Sequence, residues 1–374
     1  MNAYVKRDLY LNRLIVRRDN GQIKAVTGPR RSGKSFLLDP IYKDYLLSKG
    51  IPEDNIIIIS FDIEDEDTPQ ELLDREKLKE YLYSRIASQT ENYYVFLDEI
   101  QEVDGFERIV NGLNKRQNVD VYVTGSNSKF LSSEINTIFR GRSDEVSVLP
   151  FTFREFCQDR QESVNDLWKE YYTYGGLPAL RKMPTAEQKT TYLQKLWKKT
   201  YLDDVVERHN VENREALEAI ADALCSSIGS LTNTTRITNT LGSVRKIKIT
   251  DDTVAKYIGY LEEAFLFNEA RRYNIKGNKY YENIKKYYSI DVGLRNARLN
   301  YRQLEQTHLM ENIIFNELLY RGYVVDVGVV EHRKMVDGKS EYKQYEVDFI
   351  ATDGNEKYYI QSAYEIETEE KREQ

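Results

Sequence analysis

An eight-residue loop near the amino terminus constrains the fold of this chain more than any other feature of its sequence. The loop matches the pattern G-x-x-x-x-G-K-[ST] and consists of Gly28, Pro29, Arg30, Arg31, Ser32, Gly33, Lys34 and Ser35. A short apolar run, Ile23 to Thr27, precedes the loop, and an amphipathic stretch with apolar residues up to Leu46 follows it. These flanks predict a strand before the loop and a helix after it.

The loop has the chemistry of a phosphate-binding site. Its glycines allow backbone N–H groups to converge on phosphate oxygens, and the following helix directs its positive end at them. Lys34 can reach β- and γ-phosphates, and the hydroxyl of Ser35 can ligate Mg²⁺. The alternative is a tight strand–helix turn that binds nothing. The predicted strand and helix on either side favour a site for ATP and Mg²⁺.

A second apolar run, Tyr93 to Leu97, ends in two adjacent acids, Asp98 and Glu99. Asp98 would hold Mg²⁺, directly or through water, and Glu99 would orient and polarise an attacking water. The alternative is a strand end with solvated acids, which is a common arrangement. The phosphate-binding loop in the same chain favours the catalytic interpretation.

Two polar segments offer further candidates for contact with a nucleotide. The predicted strand that ends near Thr124 is followed by Ser126 and Asn127, either of which could lie near a γ-phosphate; a plain polar turn is an equally good interpretation. Arg140 and Arg142 follow a short amphipathic segment. An arginine there could neutralise transition-state charge in its own site or a neighbour's, or the pair could simply be solvated.

Up to Pro150, short β-type runs alternate with amphipathic stretches. The predicted strands cover residues 23–27, 55–61, 93–97, 119–124 and 146–149, and the predicted helices after the first cover 71–87 and 106–113. Four consecutive isoleucines, Ile56 to Ile59, are typical of a strand that is buried on both faces of a parallel sheet. The alternation predicts an open parallel sheet with helices on both faces.

Composition excludes several classes of protein. Lys and Arg number 54 against 61 Asp and Glu, so the net charge is -7 and the chain as a whole has no basic footprint for nucleic acid. Two cysteines, Cys157 and Cys225, and three scattered histidines exclude a disulfide scaffold and a Cys/His metal centre. The charged amino terminus and the lack of a long apolar run predict a cytoplasmic protein without a membrane partner.

Residues 214–300 have the pattern of a winged helix. Three predicted helices, 215–227, 234–241 and 251–265, precede a predicted hairpin with strands at 267–273 and 279–281. Five basic residues could meet phosphates in such a module: Lys256, Arg271, Arg272, Lys276 and Lys279. The segment has 14 basic and 10 acidic residues. This small excess favours contact with an unidentified protein over contact with DNA.

The remaining residues resemble a restriction-endonuclease-like core. A predicted helix at 311–322 and predicted strands at 323–330, 342–351 and 357–363 would present Glu311 and Asp348, which fit two of its metal-binding places. The third place has Gln361 and Ala363 where an acid and a lysine are needed. The letters Glu-x-Lys at 341–343 precede Asp348, and those at 369–371 lie in a charged terminal run. We therefore expect a degenerate, inactive nuclease fold.

Several motifs together resemble the bacterial and archaeal AAA-type ATPases whose C-terminal half is a domain of unknown function. The matching segments are residues 28–35, 97–101, 124–128, 141–142, 150–156 and 175–178. The resemblance implies a parallel sheet in which one strand separates the acidic strand from the strand before the phosphate-binding loop. It also implies a helical lid, a sensor role for Asn127 and a phosphate-sensing or finger role for Arg142.

We therefore expect an α/β chain in four parts. These are a P-loop AAA-type ATPase core at 1–150, a helical lid at 151–213, a winged-helix domain at 214–300 and a nuclease-like α/β domain at 301–374, which ends in a charged run and is expected to be incomplete. The expected function is Mg²⁺-dependent hydrolysis of ATP to ADP and phosphate. The alternatives are a nucleotide-gated protein- or DNA-binding switch and, less favoured, an ATP-regulated nuclease. An oligomer would allow Arg142 to act in a neighbouring copy.

Overall fold

A computed structural model describes residues 4–62, 69–125, 138–139, 141–336 and 339–364 of the chain. The chain divides into two compact units, Met1–Pro150 and Phe151–Gln374. Among the described residues, no helix has both the length and the apolar character needed to cross a lipid bilayer.

The first unit is built on a five-stranded sheet. Its strands are β1 (Ile23–Thr27), β2 (Ile56–Ser60), β3 (Tyr93–Asp98), β4 (Val119–Thr124) and β5 (Ser143–Ser147). They lie in the order β2-β3-β4-β1-β5, and every neighbouring pair is parallel. Strand β4 therefore separates the acidic strand β3 from β1, as the resemblance implied. The predicted parallel α/β sheet is confirmed.

Helices precede or connect these strands. They are α1 (Asp8–Arg17), α2 (Lys34–Phe36), a π-helical turn (Leu37–Tyr42), α3 (Lys43–Ser48), α4 (Arg75–Arg85) and α5 (Phe106–Leu113), with 3-10 turns at Glu53–Asn55, Gln70–Leu73 and Ile100–Glu102. The predicted helix at 71–87 was too long at both ends, since α4 begins four residues later and ends two residues earlier. The carboxylate of Asp74 accepts the backbone N–H groups of Glu76 and Lys77, each at 3.0 Å, and so caps α4.

Strand β5 begins three residues before the predicted strand at 146–149. It is an edge strand that pairs only with β1 in the described sheet, and Val146 alone among its residues is buried. Because its outer residues are polar and partly exposed, its sequence lacks the apolar run that predicted β1 to β4.

The second unit combines helices with a second sheet. The helices are α6 (Phe153–Phe156), α7 (Val164–Tyr174), α8 (Ala186–Lys195), α9 (Asp203–Arg208), α10 (Arg214–Ser226), α11 (Thr234–Thr240), α12 (Asp251–Glu263), α13 (Val292–Arg298) and α14 (Gln306–Arg321), with a 3-10 turn at Pro178–Lys182 and π-helical turns at Leu196–Leu202 and Leu241–Arg245. The strands are β6 (Phe267–Asn274), β7 (Lys279–Ser289), β8 (Val324–Val336), β9 (Lys339–Asp353) and β10 (Glu356–Ile360).

The predicted wing belongs to a larger sheet. Strands β6 and β7 form the expected antiparallel hairpin, but β6 also pairs in parallel with β8 from Arg272 to Asn274, in the order β10-β9-β8-β6-β7. The predicted boundary at residue 300 therefore does not separate two sheets. Strand β7 also runs to Ser289, beyond the predicted end at residue 281. Its residue Lys286 is charged, yet it is buried and pairs with Glu311 and Glu346.

The predicted lid and the three helices of the predicted winged helix share one hydrophobic core. Leu180, Trp197 and Val205 pack in the same buried cluster as Leu217 and Ile258. Within the second unit, the helical segments of 178–208 therefore bury apolar side chains against the helices of 214–300.

The two glycines at 175 and 176, part of the family-like pattern, have a packing role. A Cβ on Gly176 would lie 2.1 Å from the carbonyl oxygen of Phe151, and one on Gly175 would lie 2.1 Å from Oδ1 of Asp291. Asp291 accepts the N–H of Gly176 at 2.7 Å and that of Leu294 at 3.0 Å. The two glycines thus allow the backbone at 175–176 to pack closely against Phe151 and against Asp291, the residue that caps α13.

We expect Asp291 to make stability depend on pH. Burial raises its pKa from 3.8 to about 6, although the backbone N–H groups that donate to the carboxylate act to lower it. Because the folded pKa exceeds the unfolded one, its contribution to stability falls as pH rises from about 4 to about 6, by up to about 3 kcal/mol. Relative to Asp291→Asn, wild-type protein should lose melting temperature over that range in calorimetry. A difference between the two proteins that is constant with pH would contradict this.

Candidate nucleotide-binding site

The phosphate-binding loop leaves the carboxyl end of β1 in a conformation that needs glycine. Gly28 has φ +134°, and a Cβ there would lie 2.2 Å from the carbonyl oxygen of Val148. Gly33, with φ +93°, lies at the N-cap of α2. Arg31 and Ser35 are exposed and Arg30 is half-buried, whereas Pro29 and Ser32 are buried.

Lys34 is folded back onto its own loop. Its Nζ donates to the carbonyl oxygens of Gly28 at 3.2 Å and Pro29 at 3.1 Å, and lies 3.8 Å from Oε1 of Glu99. The residue is 4% exposed. Burial lowers the pKa of Lys34, whereas Glu99 and Asp98 oppose that shift. The two carbonyl oxygens thus compensate only part of the cost of burying the ammonium, and phosphate oxygens could replace them.

Arg7, which the sequence did not indicate, supports the loop from behind. Its guanidinium donates to the carbonyl oxygens of Ser32 at 3.1 Å and Leu149 at 2.7 Å, and it is only 3% exposed. The guanidinium also lies 4.6 Å from the ring centroid of Tyr10 on α1. Arg7 belongs to no recognisable motif and precedes the first strand, so no sequence signal pointed to this contact.

The candidate metal ligands Ser35 and Asp98 lie side by side. The Ser35 hydroxyl donates to Oδ1 of Asp98 at 2.9 Å, and Ser60 donates to Oδ2 at 3.4 Å. Burial raises the pKa of Asp98, and hydrogen bonds from Thr124 and Ser35 oppose the shift. A hydroxyl and a carboxylate in contact fit Mg²⁺, which prefers oxygen ligands.

Glu99 follows Asp98 in the left-handed region, with φ +50°. Its backbone N–H donates to Oγ1 of Thr124 at 2.8 Å, and its carboxylate Oε2 accepts the side-chain amide of Gln101 at 2.5 Å. The side chain is 17% exposed. Asp98 and Glu99 therefore project from one strand end toward Ser35 and Lys34, respectively.

Thr124, at the end of β4, connects the two acids. Its hydroxyl donates to Oδ1 of Asp98 at 2.6 Å, while the same oxygen accepts the N–H of Glu99. Thr124 was part of the family-like pattern, but its spacing from the acids gave it no role. The contact arises because β3 and β4 are adjacent and parallel, so their carboxyl ends meet.

We expect Thr124→Val to lower ATP turnover on the order of ten-fold and the free energy of unfolding by about 1–2 kcal/mol. Valine keeps the shape but leaves the N–H of Glu99 without this acceptor. Steady-state phosphate release and thermal melting measure the two effects. Thr27→Val is the matched control, since that hydroxyl donates to Glu145 at 2.6 Å instead. Equal loss of turnover in both variants would contradict a specific role for Thr124.

The remaining predicted phosphate contacts differ in their outcome. Ser126, Asn127 and Arg140 lie outside the described residues. Arg142 is exposed, and its carbonyl oxygen accepts the N–H of Ile23 at 2.8 Å, at the start of β1. The loop lies at the other end of β1, roughly 15 Å away at ~3.3 Å per residue.

The two acids of the nuclease-like prediction already have partners. Glu311 accepts hydrogen bonds from Lys286 at 2.9 Å and Tyr288 at 2.6 Å, and Asp348 accepts the N–H and the hydroxyl of Ser362, each at 2.7 Å. Burial alone would lower the pKa of Lys286, but Glu311 and Glu346 outweigh it and raise the pKa. Among the described residues, no group of three or more His, Cys, Asp or Glu side chains could hold a metal ion.

The strand order of the first sheet, with a phosphate-binding loop after β1 and two adjacent acids at the end of β3, defines a P-loop NTPase core of the AAA type. Residues 20–157 match the family described as AAA domain, and residues 165–305 match one described as a domain of unknown function.

Relatives in both bacteria and archaea resemble the chain over most of its length. An uncharacterized protein of Haemophilus influenzae is 36% identical over 369 residues, which cover 97% of this chain and 88% of that protein. An uncharacterized protein of Methanocaldococcus jannaschii is 29% identical over 366 residues, 94% and 77% of the two chains. The chain belongs to the same family of AAA-domain proteins as the Haemophilus protein. The resemblance stated from the motifs is thereby confirmed.

Solved structures give weaker likenesses. The Aeropyrum pernix ORC1 protein, solved in complex with DNA, has a TM-score of 0.33 and 13% identity, over 80% of this chain and 94% of that one. A DNA polymerase III gamma subunit-related protein of Thermotoga maritima has a TM-score of 0.32 and 13% identity, over 68% and 91%. With both TM-scores below 0.5, these likenesses carry no weight for function.

Proposed function

We propose that this protein binds Mg²⁺–ATP and hydrolyses it to ADP and phosphate. The observation that carries the proposal is the convergence of four side chains from separate parts of the sequence. Ser35 lies 2.9 Å from Asp98, and Lys34 lies 3.8 Å from Glu99. A cation that contacts phosphate, a pair of metal ligands and a water-orienting acid are the parts that phosphoryl transfer requires.

In the bound state, the backbone of residues 28–35 surrounds the phosphates and Lys34 exchanges its carbonyl partners for phosphate oxygens. Ser35 and Asp98 would hold Mg²⁺, and the bound ion would supply positive charge beside the phosphates. Thr124 keeps Asp98 directed at Ser35.

Glu99 orients the attacking water and accepts a hydrogen bond from it. The water oxygen forms a bond to the γ-phosphorus while the bond from that phosphorus to the bridging oxygen of ADP breaks. The proton that the water loses passes to Glu99 and then to solvent or the released phosphate. The bonding electrons remain on ADP, so the reaction needs no other reactant.

The proposal includes two further residues, an asparagine and an arginine. Asn127 senses the γ-phosphate, as the family resemblance implies. Arg142 acts in trans, because it lies at the opposite end of β1 from its own phosphate-binding loop. The site is then completed in an oligomer, with the finger of one copy in the site of the next.

The work driven by hydrolysis is proposed to act on a protein partner of the second unit. Helix α12, which would enter a DNA groove in a winged helix, carries four acids and a single basic residue: Asp251, Asp252, Glu262, Glu263 and Lys256. In the hairpin, Arg272 is buried and Arg271 stacks 4.2 Å from the ring centroid of Tyr280. This distribution of charge disfavours a DNA backbone as the ligand.

The nuclease alternative has less support. Because Lys286 and Tyr288 donate to Glu311, and Ser362 donates to Asp348, a divalent cation would have to displace these donors. Gln361 and Ala363 supply neither the missing acid nor the missing lysine.

Steady-state phosphate release, measured at rising protein concentration with and without duplex DNA, tests the proposal. We expect Mg²⁺-dependent release whose rate per protein molecule rises with concentration, because Arg142 completes a neighbour's site, and no response to DNA. Binding of ATP with release no faster than in Glu99→Gln would favour the nucleotide-gated switch. If Mg²⁺–ATP caused no thermal shift, the proposed function would be lost. A strong acceleration by DNA would overturn the choice of a protein partner.

A further inference from the structure

Gln101 is a buried amide in direct contact with Glu99. It lies in the 3-10 turn Ile100–Glu102 and is 7% exposed. Its Nε2 donates to Oε2 of Glu99 at 2.5 Å and approaches a carboxylate oxygen of Glu102 at 3.4 Å. A donor this close to a carboxylate restrains the rotation of its terminal oxygens.

The other end of the same amide has no partner. Oε1 of Gln101 is buried and accepts no hydrogen bond from the described residues. A buried acceptor without a donor costs free energy, which an apolar side chain of equal length would avoid. Packing alone therefore does not account for a glutamine here. The hydrogen bond that its side-chain amide donates to Glu99 does account for it.

The two carboxylate oxygens of Glu99 consequently face different groups. Oε2 accepts from Gln101, and Oε1 lies 3.8 Å from the ammonium of Lys34, on the side of the phosphate-binding loop. The carboxylate of Glu99 is therefore oriented between an amide and an ammonium.

We propose that Gln101 is a positioning residue for the hydrolysis of ATP; this inference rests on the proposed function. When the phosphates attract the ammonium of Lys34, Gln101 retains its hydrogen bond to Oε2. The carboxylate cannot then rotate, and Oε1 remains directed at the phosphates, where it accepts the hydrogen bond of the attacking water. Gln101 thus acts through Glu99 and touches neither nucleotide nor water.

Gln101→Met tests this, because methionine has a similar length and no donor. We expect kcat to fall on the order of ten-fold, the loss of one hydrogen bond to a charged group, with the Kd of a fluorescent ATP analogue unchanged. The melting temperature should not fall, because the orphaned acceptor is also removed. Gln117→Met, at an exposed glutamine before β4, is the matched control and should keep wild-type kcat.

The same substitution in a Glu99→Gln background separates positioning from general damage. A residue that acts through Glu99 should change the residual rate by less than two-fold there, because the group that it orients is already inactive. A ten-fold loss in both backgrounds, or wild-type kcat in Gln101→Met, would overturn the inference while leaving ATP hydrolysis intact. Phosphate release by the wild-type protein no faster than the protein-free background would overturn both it and the proposed function.

Discussion

Lys34→Ala is expected to lower the affinity for Mg²⁺–ATP at least about 100-fold, so that no binding is detected at ordinary concentrations. The Nζ of Lys34 is buried and donates to two loop carbonyls at 3.1–3.2 Å. These carbonyls compensate a positive charge incompletely, and burial lowers the pKa of Lys34. Phosphate oxygens would restore full compensation, and alanine removes that gain.

Titration with a fluorescent ATP analogue and the ATP-dependent shift in melting temperature measure this loss. Lys43→Ala is the control: Lys43 lies nine residues after Lys34 but pairs with the exposed Glu53 at 2.9 Å. It should bind like wild type. Undiminished binding by Lys34→Ala would mean that the loop is a strand–helix turn without a role in phosphate recognition.

Glu99→Gln is expected to reduce kcat on the order of 10²–10³-fold while ATP affinity stays within a few-fold of wild type. Glutamine keeps the size of the side chain but cannot take the proton of the attacking water. Since Asp98 and Lys34 remain, the phosphates and Mg²⁺ keep their partners. Single-turnover phosphate release and equilibrium binding of ATP, measured on the same preparation, separate the two steps.

Glu102→Gln is the matched control in the same turn, since Glu102 is exposed and approaches Gln101 only at 3.4 Å. It should hydrolyse ATP at the wild-type rate. If Glu99→Gln retained wild-type kcat, the water would have to be oriented by another group, and the role assigned to Gln101 would fall as well.

Sequence patterns predicted the first sheet well because its strands are buried on both faces. Strand β4 has the predicted bounds, and β3 extends the prediction by one residue. Apolar runs of this kind are distinctive in parallel sheets. The prediction for β5 was misplaced because β5 is a partly exposed edge strand. The prediction for β7 ended too early, in a strand where the charged residue Lys286 is buried in ion pairs with Glu311 and Glu346.

The local motif was sufficient to predict Lys34, Ser35, Asp98 and Glu99 as candidates, since each has a fixed place in a short pattern. Three further contacts at the site were not accessible in this way. Arg7, Thr124 and Gln101 touch the site through side-chain directions that depend on strand order and on the left-handed backbone of Glu99. Such residues are polar and buried, a combination that becomes visible only once the fold is known.

Strand β6 lies between β7 and β8, with Arg272 to Asn274 paired to residues 327–329. A chain cut at residue 300 would leave this edge of β6 bare, and its unsatisfied N–H and C=O groups would invite pairing with other chains. The hairpin and the last three strands thus form one continuous hydrogen-bonded sheet. A force applied to the hairpin would be transmitted through the hydrogen bonds between strands to β10, so we expect the two segments to move together as one rigid body.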